Sequence, residues 1–365
     1  MRRARPLVPL VVVLPIVAWG LLATDQAPPV PATFAGRIEA LSEPGGSFDT
    51  DNLISNERSY LHVVPALVDS GLRGGAYLGV GPDQNFSYIA HVRPSIALIV
   101  DIRRDNLLLH LLFKALFDLA PTRVEYLALL TGRAPPGDPA AWRSRGIDEI
   151  VGYVDREPPL DEAALEAGVA RIDEAMARFG VALSPADLAT IRRFHRRFVD
   201  AGLSLRFNST GRPPQWNYPT YRDLLLETDR DGIRRGYLAS EDDYRFVQLL
   251  HARDRVIPVV GDLGGDTAVG AIGRFLASQD LAVTAFYVSN VEFYLFQDAR
   301  FGRFIGNLER LPRAPDGVLI RSIFSGARPD PGYNSVSVTQ PIAALVEGHA
   351  AGRFRSYRSL VAASR

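Results

Sequence analysis

Five short runs of mostly apolar residues, each closed by glycine, asparagine, serine or a carboxylate, set the rhythm of this chain. They occupy 76–80, 96–100, 256–260, 283–288 and 318–323. Within most of them neighbouring positions are apolar, rather than every second one. That is the mark of strands buried on both faces, as in a parallel sheet. Between them the apolar spacing lengthens to the helical period. Helices are expected over 34–41, 55–69, 107–119, 267–278 and from 291 to 296. In the second of these, Asn56, Glu57 and Tyr60 lie on one side, and Leu61, Val64, Leu67 and Val68 on the other. Residues 121–207 hold no convincing strand. They include a helical stretch at 161–179 and a second helix announced by Ser184-Pro185-Ala186-Asp187, a cap with proline in the first turn. Strands alternating with helices predict an α/β fold with a mostly parallel sheet covered by helices and a helical insertion after the second strand.

The N-terminus breaks this pattern. Met1-Arg2-Arg3-Ala4-Arg5 is a basic head, and residues 6–23 are apolar without a charge. Such a segment reads as a signal peptide or a single membrane anchor. With the arginines held inside, the rest of the chain is expected to be exported, either periplasmic or anchored to the cytoplasmic membrane facing outward. Residues 24–32 read as a proline-rich linker, 33–330 as one α/β domain, and 331–365 as a helical tail. The loop 208–221 is polar, aromatic and proline-bearing, and long enough to be a lid.

Lys+Arg 41 balances Asp+Glu 41, so no net field favours nucleic acid, and membrane contact is expected through the N-terminal segment alone. There is no cysteine, and His62, His91, His110, His195, His251 and His349 show no metal-ligand spacing. No P-loop lysine and no G-x-S-x-G elbow occur, which argues against nucleoside triphosphatase and serine hydrolase chemistry.

Candidate chemistry sits at the strand ends. The first run leads into Gly79-Val80-Gly81-Pro82-Asp83-Gln84-Asn85, and the second ends in Asp101-Ile102-Arg103. The third ends in Gly261-Asp262, and the fourth in Ser289-Asn290-Val291-Glu292. Right-handed crossovers bring these ends to one edge, where doubly wound sheets hold ligands. The arrangement is Rossmann-like. Gly79 and Gly81 let a ligand approach the backbone, or serve packing; Asp101 can accept from ribose hydroxyls, or cap the next turn. Arg103 is an anion clamp or half of a solvated charge pair. Asp262 can accept from an adenine amino group, and Asn290 can donate and accept at the reacting edge. Glu57 and Glu292 are helix-capping acids, or general bases if buried. On this reading Asp101→Ala abolishes binding and leaves folding nearly intact.

This order resembles class I S-adenosylmethionine-dependent methyltransferases. The resemblance implies a site for S-adenosylmethionine lined by Gly79, Gly81, Asp101, Asp262 and Ser289, and Asp83, Gln84, Asn85 and Arg103 join them as candidate binding residues from their place at the same strand ends. Asn290 and Glu292 would then orient or deprotonate an acceptor. It departs from the family at Gln84, which stands where a third glycine is usual, and at Pro82, which stiffens the turn. Longer stretches resemble an uncharacterised, Leptospira-type family of bacterial proteins with a methyltransferase-like fold. They are 80–89, 101–107, 236–241, 259–262 and 286–295. That resemblance strengthens the strand-end site and leaves its chemistry open.

Overall fold

The computed structural model describes residues 30–209, 217–325 and 327–364. The expected leader at 1–23, residues 24–29 of the linker and residues 210–216 of the lid lie outside the described residues. Among those described, no helix is long and apolar enough to cross a membrane.

Six strands form one sheet: β1 (Ala76–Gly79), β2 (Ile96–Asp101), β3 (Val256–Val260), β4 (Val283–Ser289), β5 (Arg313–Ile323) and β6 (Val336–Pro341). Their order is β3-β2-β1-β4-β5-β6, with the first five parallel and β6 antiparallel to β5. β1 to β4 are buried along almost their whole length, as the unbroken apolar runs require. The α/β, Rossmann-like class read from the pattern is the one observed.

The first helices are α1 (Phe34–Leu41), α2 (Val64–Asp69), α3 (Gln84–Val92) and α4 (Arg104–Leu119). The segment after α4 adds α5 (Arg123–Thr131), α6 (Ile147–Arg156), α7 (Glu162–Ala177), α8 (Pro185–Ala201) and α9 (Tyr221–Leu225). Then follow α10 (Glu241–Ala252), α11 (Ala268–Ser278), α12 (Val291–Gln297), α13 (Phe301–Arg310), α14 (Ile342–Ala350) and α15 (Tyr357–Ala363). α2, α3, α4 and α10 pack on one another in one layer, and α1, α11, α13 and α14 in the other. The insertion helices α7 and α8 rest on α4, outside the first layer. Ser184 caps α8 through a reciprocal bond pair with Asp187, with Pro185 in the first turn.

Two elements differ from the reading of the pattern. The helix expected over 55–69 is a 3-10 turn (Arg58–Val63) followed by α2, with Pro65 in the first turn of the new helix. The expected helical tail opens with β6. There the buried positions include Ser337 and Gln340, while Val336 and Val338 are only half-buried, so apolar periodicity carries no sign of the strand.

Candidate functional site

The winding reverses between β1 and β4, which pair directly, Gly79 beside Tyr287. A crevice opens beyond the carboxyl ends of the strands at this switch point, with a volume of ≈ 280 Å³. Its lining draws on the β1 turn (Gly81, Gln84), the β2 end (Asp101, Arg103), the β3 end (Asp262) and the β4 end (Ser289, Asn290). A strap before the first 3-10 turn supplies Phe48, Thr50, Asn52 and Glu57.

The floor is polar and locked. Gln84 Nε2 donates to Tyr287 Oη at 2.5 Å, and Tyr287 donates to Glu57 Oε2 at 2.5 Å. Ser289 donates to the other carboxylate oxygen. Glu57 is 1% exposed, and burial pushes its carboxyl above the usual range against three hydroxyl hydrogen bonds that favour the charged form. Ser289 reaches it because its backbone is left-handed, φ 51°, where β4 slips register against β5. A non-glycine residue holds that conformation at a cost of roughly 1–2 kcal/mol. Gln84 Oε1 is buried with no hydrogen-bond partner among the described residues.

The walls are ion pairs. Asp101 is paired with Arg103: Oδ1 accepts from Nε at 3.1 Å and from the Arg103 backbone N–H at 3.0 Å, and Oδ2 from Nη2 at 3.0 Å. Arg103 Nη1 donates onward to the carbonyls of Thr50 (2.9 Å) and Asp51 (3.4 Å), pinning the strap. Asp262 Oδ2 pairs with Arg300 at 2.5 Å. The N-terminus of α11 is taken by Glu43, whose carboxylate accepts from the backbone N–H of Asp262 (2.7 Å) and Ala268 (3.0 Å). Among the described residues no three or more histidines or acids group as a metal site.

Four expected site residues do not face this crevice. A Cβ on Gly79 would meet Asn85 Oδ1 at 1.9 Å, so this glycine makes room for a protein side chain rather than a ligand. Asn85 is held by Tyr77 Oη and by the carbonyls of Val80 and Pro82 at 2.7–2.8 Å, which fixes the turn. Asp83 turns into a separate internal cavity of ≈ 20 Å³, accepting from Tyr221 Oη (2.8 Å) and Tyr237 Oη (3.1 Å). Glu292, expected to act on an acceptor, is instead sealed in a buried pair with Arg321, at 2.6 and 3.0 Å. Gly81 differs from Gly79: its φ is 81°, a Cβ would meet only Asn52 Nδ2 at 3.7 Å, and it stands open to the crevice. His110 Nε2 donates to the Gly81 carbonyl at 2.9 Å; burial lowers this imidazole to about 4, so it is neutral.

Burial pushes the Asp83 carboxyl up to about 6, although both tyrosine bonds favour its charged form. An unfolded aspartate titrates near pH 4, so between about pH 4 and 6 the folded state binds more protons than the unfolded one. Stability is then fully present below that window and falls as pH rises through it. Buried His110, lowered to about 4, contributes the opposite slope over the same window, so the Asp83 contribution is read as a difference: in urea unfolding from about pH 4 to 6, the stability of the unaltered chain relative to Asp83→Asn should fall as pH rises. A difference that stays constant with pH would assign the slope to other groups.

A family model described as Domain of unknown function (DUF7790) matches residues 53–135 and 212–347, more than half of the chain. The matched segments contain all six strands, Glu57 and the strand-end residues of the crevice; the gap between them spans α6, α7 and α8. No curated protein matches the chain.

Proposed function

The chain belongs to the DUF7790 family, a domain of unknown function, and from that premise we propose that it binds a small nucleoside-bearing ligand at the β1–β4 switch point. The observation that carries this reading is the meeting of four strand ends in one crevice, with the open Gly81 turn beside Asp101. Charge narrows the ligand. Asp49, Asp101, Asp262 and Asp298 line the crevice, its two arginines are paired to Asp101 and Asp262, and no lysine lines it among the described residues. Glu43 already fills the α11 N-terminus, where a phosphate would otherwise sit. These features disfavour a pyrophosphate and suit a neutral or cationic ligand.

S-adenosylmethionine meets that description, and when bound it supplies an electrophilic methyl group. Gly81 and Gln84 would hold its amino-acid end, the unpartnered Gln84 Oε1 suiting an amino N–H. Asp101 Oδ2 accepts one bond from Arg103 and keeps a lone pair for a ribose hydroxyl. Asp262 would meet adenine, while Ser289 and Asn290 would face an acceptor. The chain's part in such a transfer is orientation within a partly enclosed site.

Calorimetry with S-adenosylmethionine, S-adenosylhomocysteine, ATP and NAD is the test. Heat is expected from the first two and little from the phosphorylated pair. Silence from the first two at millimolar concentration would remove the methyltransferase-like reading; heat from ATP or NAD alone would overturn the charge argument. A second reading, binding without turnover, draws support from Asp101 and Asp262 already being paired to arginines. Binding of S-adenosylmethionine without methyl transfer to any small acceptor would favour it.

A further inference from the structure

The polar floor of the crevice continues past Glu57 into the body of the sheet. Glu57 Oε2 also accepts from Ser322 Oγ on β5. Ser322 Oγ lies 3.3 Å from Ser337 Oγ on β6, Ser337 lies 3.1 Å from Ser59 Oγ, and Ser59 lies 2.9 Å from Ser335 Oγ. Ser335 donates to Asn334 Oδ1 at 3.4 Å, and Asn334 is half-buried. All four serines are buried. They form a file of hydroxyls from the crevice floor to the edge of the sheet.

Two features set this file apart from ordinary buried polar pairing. Each hydroxyl can donate and accept, so the file can reverse direction as a unit without moving heavy atoms far. Among the described residues no cation pairs with its carboxyl, the usual arrangement for a buried acid. Hydroxyls of Tyr287, Ser289 and Ser322 contact Glu57, and the other titratable groups facing it are Tyr77, Tyr88 and Tyr357. Arg321 is committed to Glu292 and Arg58 to Glu227.

We propose that Glu57 is the proton-exchanging residue of the crevice, reached from a bound ligand through Ser289, and that Ser322, Ser337, Ser59 and Ser335 are its outlet. A ligand O–H or N–H bond breaks as Ser289 Oγ takes the proton. The proton that Ser289 carried passes to Glu57 Oε1, forming a neutral carboxyl. The carboxyl turns about its Cγ–Cδ bond so that this proton faces Ser322 Oγ, which takes it as its own proton moves on through Ser337, Ser59 and Ser335 to water, and the carboxylate is restored. One proton crosses, and no oxidation state changes. Burial raises the Glu57 carboxyl, the direction that favours its holding a proton. The inference rests on the crevice being the ligand site, but its test needs no ligand, so it can fail or stand independently of calorimetry.

The experiment is infrared spectroscopy of the full chain, with glutamate carboxyls carbon-13 labelled to separate them from Asp83. A protonated-carboxyl band is expected to persist above the ordinary carboxylate range and to be absent from Glu57→Gln. The label alone identifies it as a glutamate should that variant fold poorly. After dilution into deuterated buffer, the band should shift on the order of tenfold more slowly in Ser59→Ala and Ser337→Ala than in the unaltered chain. Ser337→Thr, which keeps the hydroxyl, should restore the rate. A band that is missing, or that titrates like a solvated carboxylate, overturns the assignment of Glu57. Unchanged exchange in both alanine variants overturns the outlet.

Discussion

Glu292→Ala is expected to destabilise the protein by about 3–5 kcal/mol, because it strands the Arg321 guanidinium in the core. Both partners are about 1% exposed, so water cannot replace the lost carboxylate. Arg321 is also the tie between several elements. It stands on β5, holds Glu292 at the start of α12, and donates to Gln340 Oε1 on β6 (2.7 Å) and Ser364 Oγ beyond α15 (2.6 Å). Urea unfolding should therefore show a lower midpoint, and protease should reach the C-terminal helices sooner. The cause can be isolated. Glu292→Leu combined with Arg321→Met removes both charges and should recover most of the loss, since an apolar pair of similar volume is commonly as stable as a buried ion pair. A stable Glu292→Ala protein that had lost only ligand turnover would instead reinstate Glu292 as a group acting on an acceptor.

Asp101→Ala carries the second large effect, and here the structure reverses the expectation drawn from sequence. The carboxylate neutralises Arg103, which is 7% exposed, and offers a ribose only the lone pair which that pairing leaves. Its removal leaves a buried guanidinium with only the Thr50 and Asp51 carbonyls as partners. A loss of about 3–5 kcal/mol is expected, in place of a silent change to the fold. The strap at 47–52 should loosen with it, read as faster amide exchange confined to that segment. Asp101→Ala combined with Arg103→Ala should be less unstable than the single variant, while Asp101→Asn, which keeps acceptor and shape, should fall between. If Asp101→Ala unfolds like the unaltered chain, the clamp is not what holds the strap.

The sheet was legible because β1 to β4 are apolar on consecutive positions, and that pattern has few other uses in a chain of this kind. The strand ends were legible for a related reason: polar residues that interrupt a buried run at its carboxyl end have nowhere to go but the sheet edge. Which of those residues face outward was not legible. Gly79 and Gly81 look alike in sequence, and only the side chain of Asn85 separates their roles. Glu57 and Glu292 also look alike, each an acid at a helix start. One is buried among hydroxyls at the crevice, the other against an arginine on β5, and both environments come from segments distant in sequence. β6 was hidden because its buried face includes serine and glutamine, which satisfy Ser59, Ser322 and Arg321 rather than an apolar layer. A pattern of apolar residues reports burial by the hydrophobic effect, and is silent where burial is by hydrogen bonding.

One crevice, at the point where the winding of the sheet reverses, is proposed to receive the ligand. A crystal structure of the chain grown with S-adenosylhomocysteine tests it most directly. Ligand density is expected between Gly81, Gln84, Asp101 and Asn290, with Glu57 beneath it. Density elsewhere on the molecule, with that crevice closed by its own side chains, would contradict it.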